Sequence, residues 1–150
     1  MKYLESCIDE TLRKHPVVPL LTRECVKDYK LPGTDRIIEK GTKILIPAFA
    51  LQRDEKYYEE PDKFIPERFN EQNSIGKNLT NPPYLPFGEG PRNCIGLRLG
   101  KMQTKVGLVL MLRKFRFELE KRLKKNEMVF DPKVSFLSPL GGIKLHIIKR

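Results

Sequence analysis

Leu4, Cys7, Ile8, Thr11 and Leu12 recur at spacings of three and four, while Lys2, Glu5, Asp9 and Lys14 lie off that stripe. The period predicts an amphipathic helix over residues 2–15, ended by Pro16 and Pro19. It starts with no N-capping side chain, since Met1 precedes it. From Arg23 the pattern shortens. Strands are predicted at 25–29, 36–38 and 43–46, parted by turns at Pro32-Gly33 and Lys40-Gly41, as a small antiparallel meander. A short helix is expected over 48–53. Residues 54–86, rich in Pro, Asp, Glu and Asn, read as a long irregular surface segment of the kind that tends to carry function.

A loop punctuated by glycines follows, from Phe87 through Gly88, Gly90, Arg92 and Cys94 to Gly96. Beyond it the chain predicts an apolar, buried helix over 97–112 and a strand over 115–119. The tail predicts a terminal hairpin about the Pro139-Leu140-Gly141-Gly142 turn. No internal repeat is present. The whole reads as one α+β domain, mainly α.

Composition narrows the classes. At 39% hydrophobic and 32% charged, the 150 residues have the mixture of a folded chain. The longest apolar run, Val106–Leu112, is far short of the roughly 20 residues of a membrane span. The first residues hold no apolar signal-peptide core. Three widely spaced cysteines without a CxxC pair argue against a disulfide framework or zinc knuckle and for a reducing compartment. Asn78-Leu79-Thr80 matches a glycosylation acceptor, read here as a chance match.

The net charge of +10 first raises nucleic acid or an anionic surface as a partner. The excess is local. Basic and acidic residues balance over 1–96, whereas 97–127 hold 10 basic and 3 acidic side chains. That stretch carries neither an RNP-type aromatic pattern nor a helix-turn-helix signal, so no nucleic-acid partner is expected. A basic module for anionic surfaces stays open as a reading.

Cys94 stands just before a predicted helix, where the helix dipole and free N–H groups suit an anion. Gly88, Gly90 and Gly96 let the backbone turn tightly and approach a flat partner closely. Phe87 is placed to shield the sulfur, and Arg92 to pair with a carboxylate on the partner. A protected thiolate, small residues and a carboxylate clamp are what a haem needs on its proximal side. Rival readings fit less well. A phosphate loop fails because Asn93 stands where GxGxxG needs glycine, and Gly100-Lys101 is followed by Met102 rather than Ser or Thr. A Cys–His nucleophile with His15 or His146 has no supporting motif. A plain buried cysteine leaves the glycines and Arg92 unexplained.

Phe87-x-x-Gly90-x-Arg92-x-Cys94-x-Gly96 resembles the haem-thiolate signature of the cytochrome P-450 superfamily. Glu10-Thr11-Leu12-Arg13 is similar to that family's ExxR helix, and Pro66-Glu67-Arg68-Phe69 to its PERF segment. The order of the three also matches, and the resemblance is greatest to animal microsomal members, especially insect enzymes that oxidise xenobiotics. It implies that Cys94 is the axial ligand of haem b (iron protoporphyrin IX) and that Arg92 and Arg23 meet its propionates. Glu10, Arg13 and Arg68 would form a buried triad that fixes the loop. Val17, Val18 and Leu21, with Ser138, Pro139 and Leu140, would face substrate. Arg98, Lys101 and Lys105 would steer a flavoprotein reductase that passes electrons from NADPH.

The activity implied is monooxygenation: dioxygen is activated reductively and one oxygen enters a small lipophilic substrate. The implied location is the cytoplasmic face of the endoplasmic reticulum membrane. The resemblance reaches only the C-terminal third of such enzymes. Residues 1–150 are therefore expected to be the C-terminal portion of a single domain, without the N-terminal membrane anchor, most of the distal pocket, or the acid–threonine proton relay. The expectation is a fragment unable to turn over alone, with a haem-binding or inert non-catalytic fragment as the alternative.

Overall fold

A computed structural model describes residues 1–70, 82–119 and 128–150. The Asn78 acceptor sequence lies outside the described residues. Helix α1 spans Lys2–Lys14, with no side-chain cap at Met1. It stops at His15, whose N–H reaches Thr11 O at 2.8 Å, because Pro16 offers no N–H to continue it and disfavours the helical region in the residue before it.

The burial of α1 differs from its apolar stripe. Its buried residues are Ser6, Ile8, Glu10 and Arg13. Cys7, Thr11 and Leu12 instead line a cavity, together with Ile8. Periodicity sorts residues by hydrophobicity, but a buried polar group is tolerated wherever its bonds are complete.

Four short strands follow. Strand β1 (Leu21–Glu24) pairs antiparallel with β4 (Lys43–Ile46), Leu21 opposite Ile46. Strands β2 (Tyr29–Lys30) and β3 (Ile37–Ile38) pair between them, with Tyr29 opposite Ile38. The first strand thus precedes the expected 25–29, and the inner hairpin is nested inside an outer ladder instead of running as a simple meander. Burial explains the shift: β1 alternates half-buried and exposed residues, whereas residues 26–29 are all exposed. The outer ladder closes through Cys25 N–H to Thr42 O at 2.9 Å and Gly41 N–H to Cys25 O at 2.7 Å. At φ +87° Gly41 occupies the left-handed region this return requires.

Helix α2 (Ala48–Leu51) ends at Gln52. Irregular chain then leads to a 3₁₀ turn over Pro66–Phe69, opened by its proline, and α1 packs on that turn. Helix α3 covers Leu97–Lys114. Strand β5 (Phe115–Leu119) pairs with β6 (Leu145–Lys149), Phe115 opposite Lys149.

Two expectations change here. The last strand pairs with β5 and not with the segment before Pro139. That segment contributes an isolated bridge, Phe130 with Pro139, and a bond from Leu140 N–H to Val129 O at 2.8 Å. Helix α3 is not buried: none of its residues is, and Leu99, Met102, Val106 and Leu110 are exposed. A helix apolar on every side needs neighbours all round; among the described elements α3 meets α1 and β5. The buried centre is small and polar, with Ile8, Ala48, Tyr58 and Leu85 beside Ser6, Glu10, Arg13 and Gln52. No helix among the described residues is long and apolar enough to cross a membrane.

Candidate functional site

At the centre of the molecule is a buried ion pair. Glu10 and Arg13, one helical turn apart on α1, have no exposed surface. Arg13 Nε donates to Glu10 Oε2 at 2.7 Å and Nη2 to Oε1 at 2.9 Å, a bidentate fork. The remaining donors of Arg13 go to backbone carbonyls: Gln52 O and Pro61 O, both at 2.8 Å, and Lys63 O at 3.3 Å. Glu10 Oε1 also accepts from Ile65 N–H at 2.9 Å. The pair therefore pins α1 to Gln52, at the end of α2, and to the irregular stretch 61–65, which has no ladder of its own to hold it.

Arg68, the expected third member, stands 3.5 Å from Glu10 through Nε. That Nε makes no hydrogen bond, and Nη2 donates to Glu60 O at 3.0 Å. The triad is thus a tight pair flanked by a looser cation.

The same centre suspends the lead-in to the cysteine loop. Tyr58, 1% exposed with its ring 5.1 Å from the Arg13 guanidinium carbon, donates its hydroxyl to Pro83 O at 2.9 Å. Tyr84 donates to Asp9 Oδ1 at 2.8 Å. Gln52 Oε1 accepts from Leu85 N–H at 2.5 Å. Burial drives the Tyr58 phenol up to about 12 and raises that of Tyr84 too, where Asp9 adds to the effect.

From Leu85 the loop folds by its own geometry. Gly88 (φ +70°) and Gly90 (φ +78°) occupy the left-handed region, where a side chain would be strained. Gly88 N–H bonds Leu85 O at 3.1 Å, and Cys94 N–H bonds Phe87 O at 2.8 Å, closing the loop. A Cβ on Gly96 would stand 3.8 Å from Cys94 Sγ, and one on Gly100 3.9 Å from the Phe87 ring. Backbone therefore comes close to the sulfur. Cys94 is exposed and Phe87 half-buried.

Cys94 opens onto a cavity of about 750 Å³, within the range of small-molecule and cofactor sites. Its walls are the inner faces of α1 and α3, the segment Val17–Arg23, and the loop itself. They are mainly apolar, with Arg23 and Arg92 as guanidinium groups on the lining. Arg23 also approaches the loop, its Nη2 lying 3.6 Å from where a Gly88 Cβ would be. One thiol, close-lying backbone, apolar walls and two guanidinium groups on one cavity fit a flat apolar ring that carries carboxylates, so the residues present fit a haem.

Val17, Val18 and Leu21 line this cavity; Ser138, Pro139 and Leu140 do not. The tail meets a lining residue where Leu137 N–H bonds Val17 O at 2.9 Å. Neither histidine lines it, and His15 lies against Phe130 with ring centroids 5.7 Å apart. Of the basic residues on α3, Lys101 pairs with Asp9 at 2.5 Å and Lys105 with Glu5. Both face α1 and hold the two helices together. Arg98 is exposed and makes no ion pair among the described residues.

This loop, cavity and polar frame define a haem-binding class of protein, and sequence comparison places the chain within it. The cytochrome P450 family model matches residues 1–146, and the chain belongs to that family. It is 46% identical to the probable cytochrome P450 6a14 of Drosophila melanogaster over 98% of this chain and 28% of that protein. It is 46% identical to cytochrome P450 6j1 of Blattella germanica over 99% of this chain and 29% of that protein. With cytochrome P450 6B2 of Helicoverpa armigera the identity is again 46%, over the whole chain and 29% of the relative. The chain thus spans under a third of the length of these insect relatives.

Gln52, Tyr58 and Tyr84 escaped the reading of the sequence. Gln52 follows a short apolar stretch, and the tyrosines lie in segments without periodicity. What marks all three is the backbone or carboxylate partner each finds far along the chain, which no local pattern encodes.

Proposed function

We propose that this chain is the haem-binding part of a haem-thiolate monooxygenase, in which the Cys94 thiolate would hold the haem iron. The observation that carries the reading is the meeting of Cys94, Arg92 and Arg23 on one apolar cavity behind a loop that matches the family signature. When bound, haem supplies the reductive activation of dioxygen and the delivery of one oxygen atom to a lipophilic substrate. Gly88 and Gly90 supply the left-handed turns of the loop, Gly96 brings backbone close to the sulfur, and Phe87 forms apolar wall beside it. Arg92 and Arg23 neutralise carboxylates at the rim, a charge-assisted contact that also sets orientation. Val17, Val18 and Leu21 extend the apolar wall towards substrate.

Electrons come from NADPH through a flavoprotein reductase with an acidic docking face. Arg98, exposed at the start of α3, is the foremost steering residue, because Lys101 and Lys105 are committed to Asp9 and Glu5. Steering of this kind raises the association rate and weakens with salt. The proposed location is the cytoplasmic face of the endoplasmic reticulum membrane, and turnover is proposed for a protein of the relatives' length. Absorption of the reduced carbonyl complex tests the reading. A red-shifted Soret band is expected from the haem-loaded chain and is lost in Cys94→Ala. Failure to see that band, or its survival in the variant, refutes thiolate ligation by Cys94.

A further inference from the structure

We propose that Gln52 is a positioning residue for the Cys94 loop, coupling the backbone at Leu85 to the Glu10–Arg13 pair. Only the spectroscopic arm of the test below rests on the haem-thiolate reading. Gln52 is the residue just past α2 and has no exposed surface. Its Nε2 donates to Arg13 O at 2.9 Å and to Leu12 O at 3.2 Å, carbonyls in the last turn of α1 that have no partner within the helix. Its Oε1 accepts from Leu85 N–H, and its own backbone carbonyl accepts from Arg13 Nη1 at 2.8 Å.

A continuous series of bonds therefore runs from the ion pair to the sulfur loop. It passes from Arg13 to Gln52 and Leu85, then to Gly88 through Leu85 O, and the loop is closed by Cys94 N–H on Phe87 O. Tyr58 and Tyr84 hold the neighbouring residues through a carbonyl and a phenol. Among the described residues Gln52 is the side chain that takes a backbone N–H of this lead-in. The site also selects for an amide. It requires donors on the side facing α1 and an acceptor on the side facing Leu85, at a fully buried point. A hydrocarbon leaves an N–H and two carbonyls unpaired; a carboxylate keeps the acceptor and turns oxygen against carbonyl oxygen.

Amide hydrogen exchange on the full 150-residue chain tests this, with Ile65 N–H, which is bonded to Glu10, as the internal reference. In the native chain Leu85 N–H is expected to be protected; exchange at the rate of free loop overturns the proposal without any variant. In Gln52→Met, exchange at Leu85, Gly88 and Cys94 is expected to accelerate by about tenfold or more while Ile65 changes by less than about twofold. Unchanged exchange at Gly88 and Cys94 overturns it. So does a parallel acceleration at Ile65, which would show mere loss of stability.

Gln52→Glu keeps the acceptor and is expected to retain more protection at Leu85 than the Met variant; equal loss counts against the proposal. In the haem-loaded chain, Gln52→Met is expected to lower the thiolate-type share of the reduced carbonyl spectrum by about threefold or more at equal haem content. An unchanged share with a band that Cys94→Ala still removes overturns the role of Gln52 alone. A missing band in the native chain overturns the haem-thiolate reading, while the exchange result still judges Gln52.

Discussion

Replacing Glu10 by Gln preserves shape and removes one charge, and the structure lets its cost be worked out. In the native chain the carboxylate receives two bonds from Arg13 and one from Ile65, and both charged side chains are fully buried. In the variant the guanidinium stays buried without a counter-charge, and the new NH₂ group confronts existing donors. Breaking a buried pair from one side costs about 3–5 kcal/mol. That is a fifth or more of a stability of about 5–15 kcal/mol. With a urea slope of about 2 kcal/mol per molar, the midpoint falls by about 2 M. Far-ultraviolet circular dichroism against urea measures it.

The double variant Glu10→Leu/Arg13→Met removes both charges, yet it is expected to stay destabilised. The carbonyls of Gln52, Pro61 and Lys63 lose their donor, and each buried unpaired group costs about 1–3 kcal/mol. A single-variant loss under about 0.5 kcal/mol would refute the reasoning, because that is the scale of an exposed helical pair. A fully stable double variant would show that the carbonyl contacts carry nothing.

Gly88→Ala places a side chain at φ +70° and is expected to cost about 1–2 kcal/mol, read as a lower melting temperature. Stability is expected to hold up to about pH 10 and to fall between there and about 12, followed by thermal melting across that range. The sign follows from Tyr58: its folded value is raised to about 12, so above the unfolded value near 10 the unfolded state sheds the proton first and gains. In Tyr58→Phe the fall is expected to be shallower. Arg98→Glu is expected to slow reduction by the proposed flavoprotein partner severalfold at low ionic strength, with the difference shrinking as salt is added. Lys101→Ala is expected to act first on stability, by about 1 kcal/mol, because its partner Asp9 is mostly buried; reduction rates measured at several salt concentrations separate the two.

Much of the layout was legible in the sequence because it depends on local chemistry. Pro16 stops α1 where the chain must turn, and Gly88 and Gly90 mark left-handed positions. The signature from Phe87 to Gly96 sits where its glycines allow close approach to the sulfur. The rest required partners distant in sequence. Strand β1 was misplaced because Leu21 and Arg23 are half-buried through pairing with Ile46 and Ile44, a register no short window contains. Periodicity alone missed the inward side of α1 for the same reason, although the resemblance already implied that Glu10 and Arg13 are buried. Glu10 and Arg13 are polar to any periodicity measure, and only carbonyls at residues 52, 61 and 63 make their burial acceptable. Lys101 and Lys105 looked like free surface charge until α1 supplied Asp9 and Glu5.

The reach of the Arg13 contacts bears on the order in which the chain can fold. Its acceptors include backbone groups 39, 48 and 50 residues further along, and the bond that carries the frame on to the loop joins Gln52 to Leu85, 33 residues apart. During synthesis from the N-terminus, α1 is made before the carbonyls of Gln52, Pro61 and Lys63 that its guanidinium bonds. Closure waits until the residues up to 63 have been made, and the loop lead-in is caught only after Leu85. Contacts of such separation are slow to form. The sulfur loop is therefore set late, on a frame already closed around an ion pair, and errors in that earlier closure are passed to the position of Cys94.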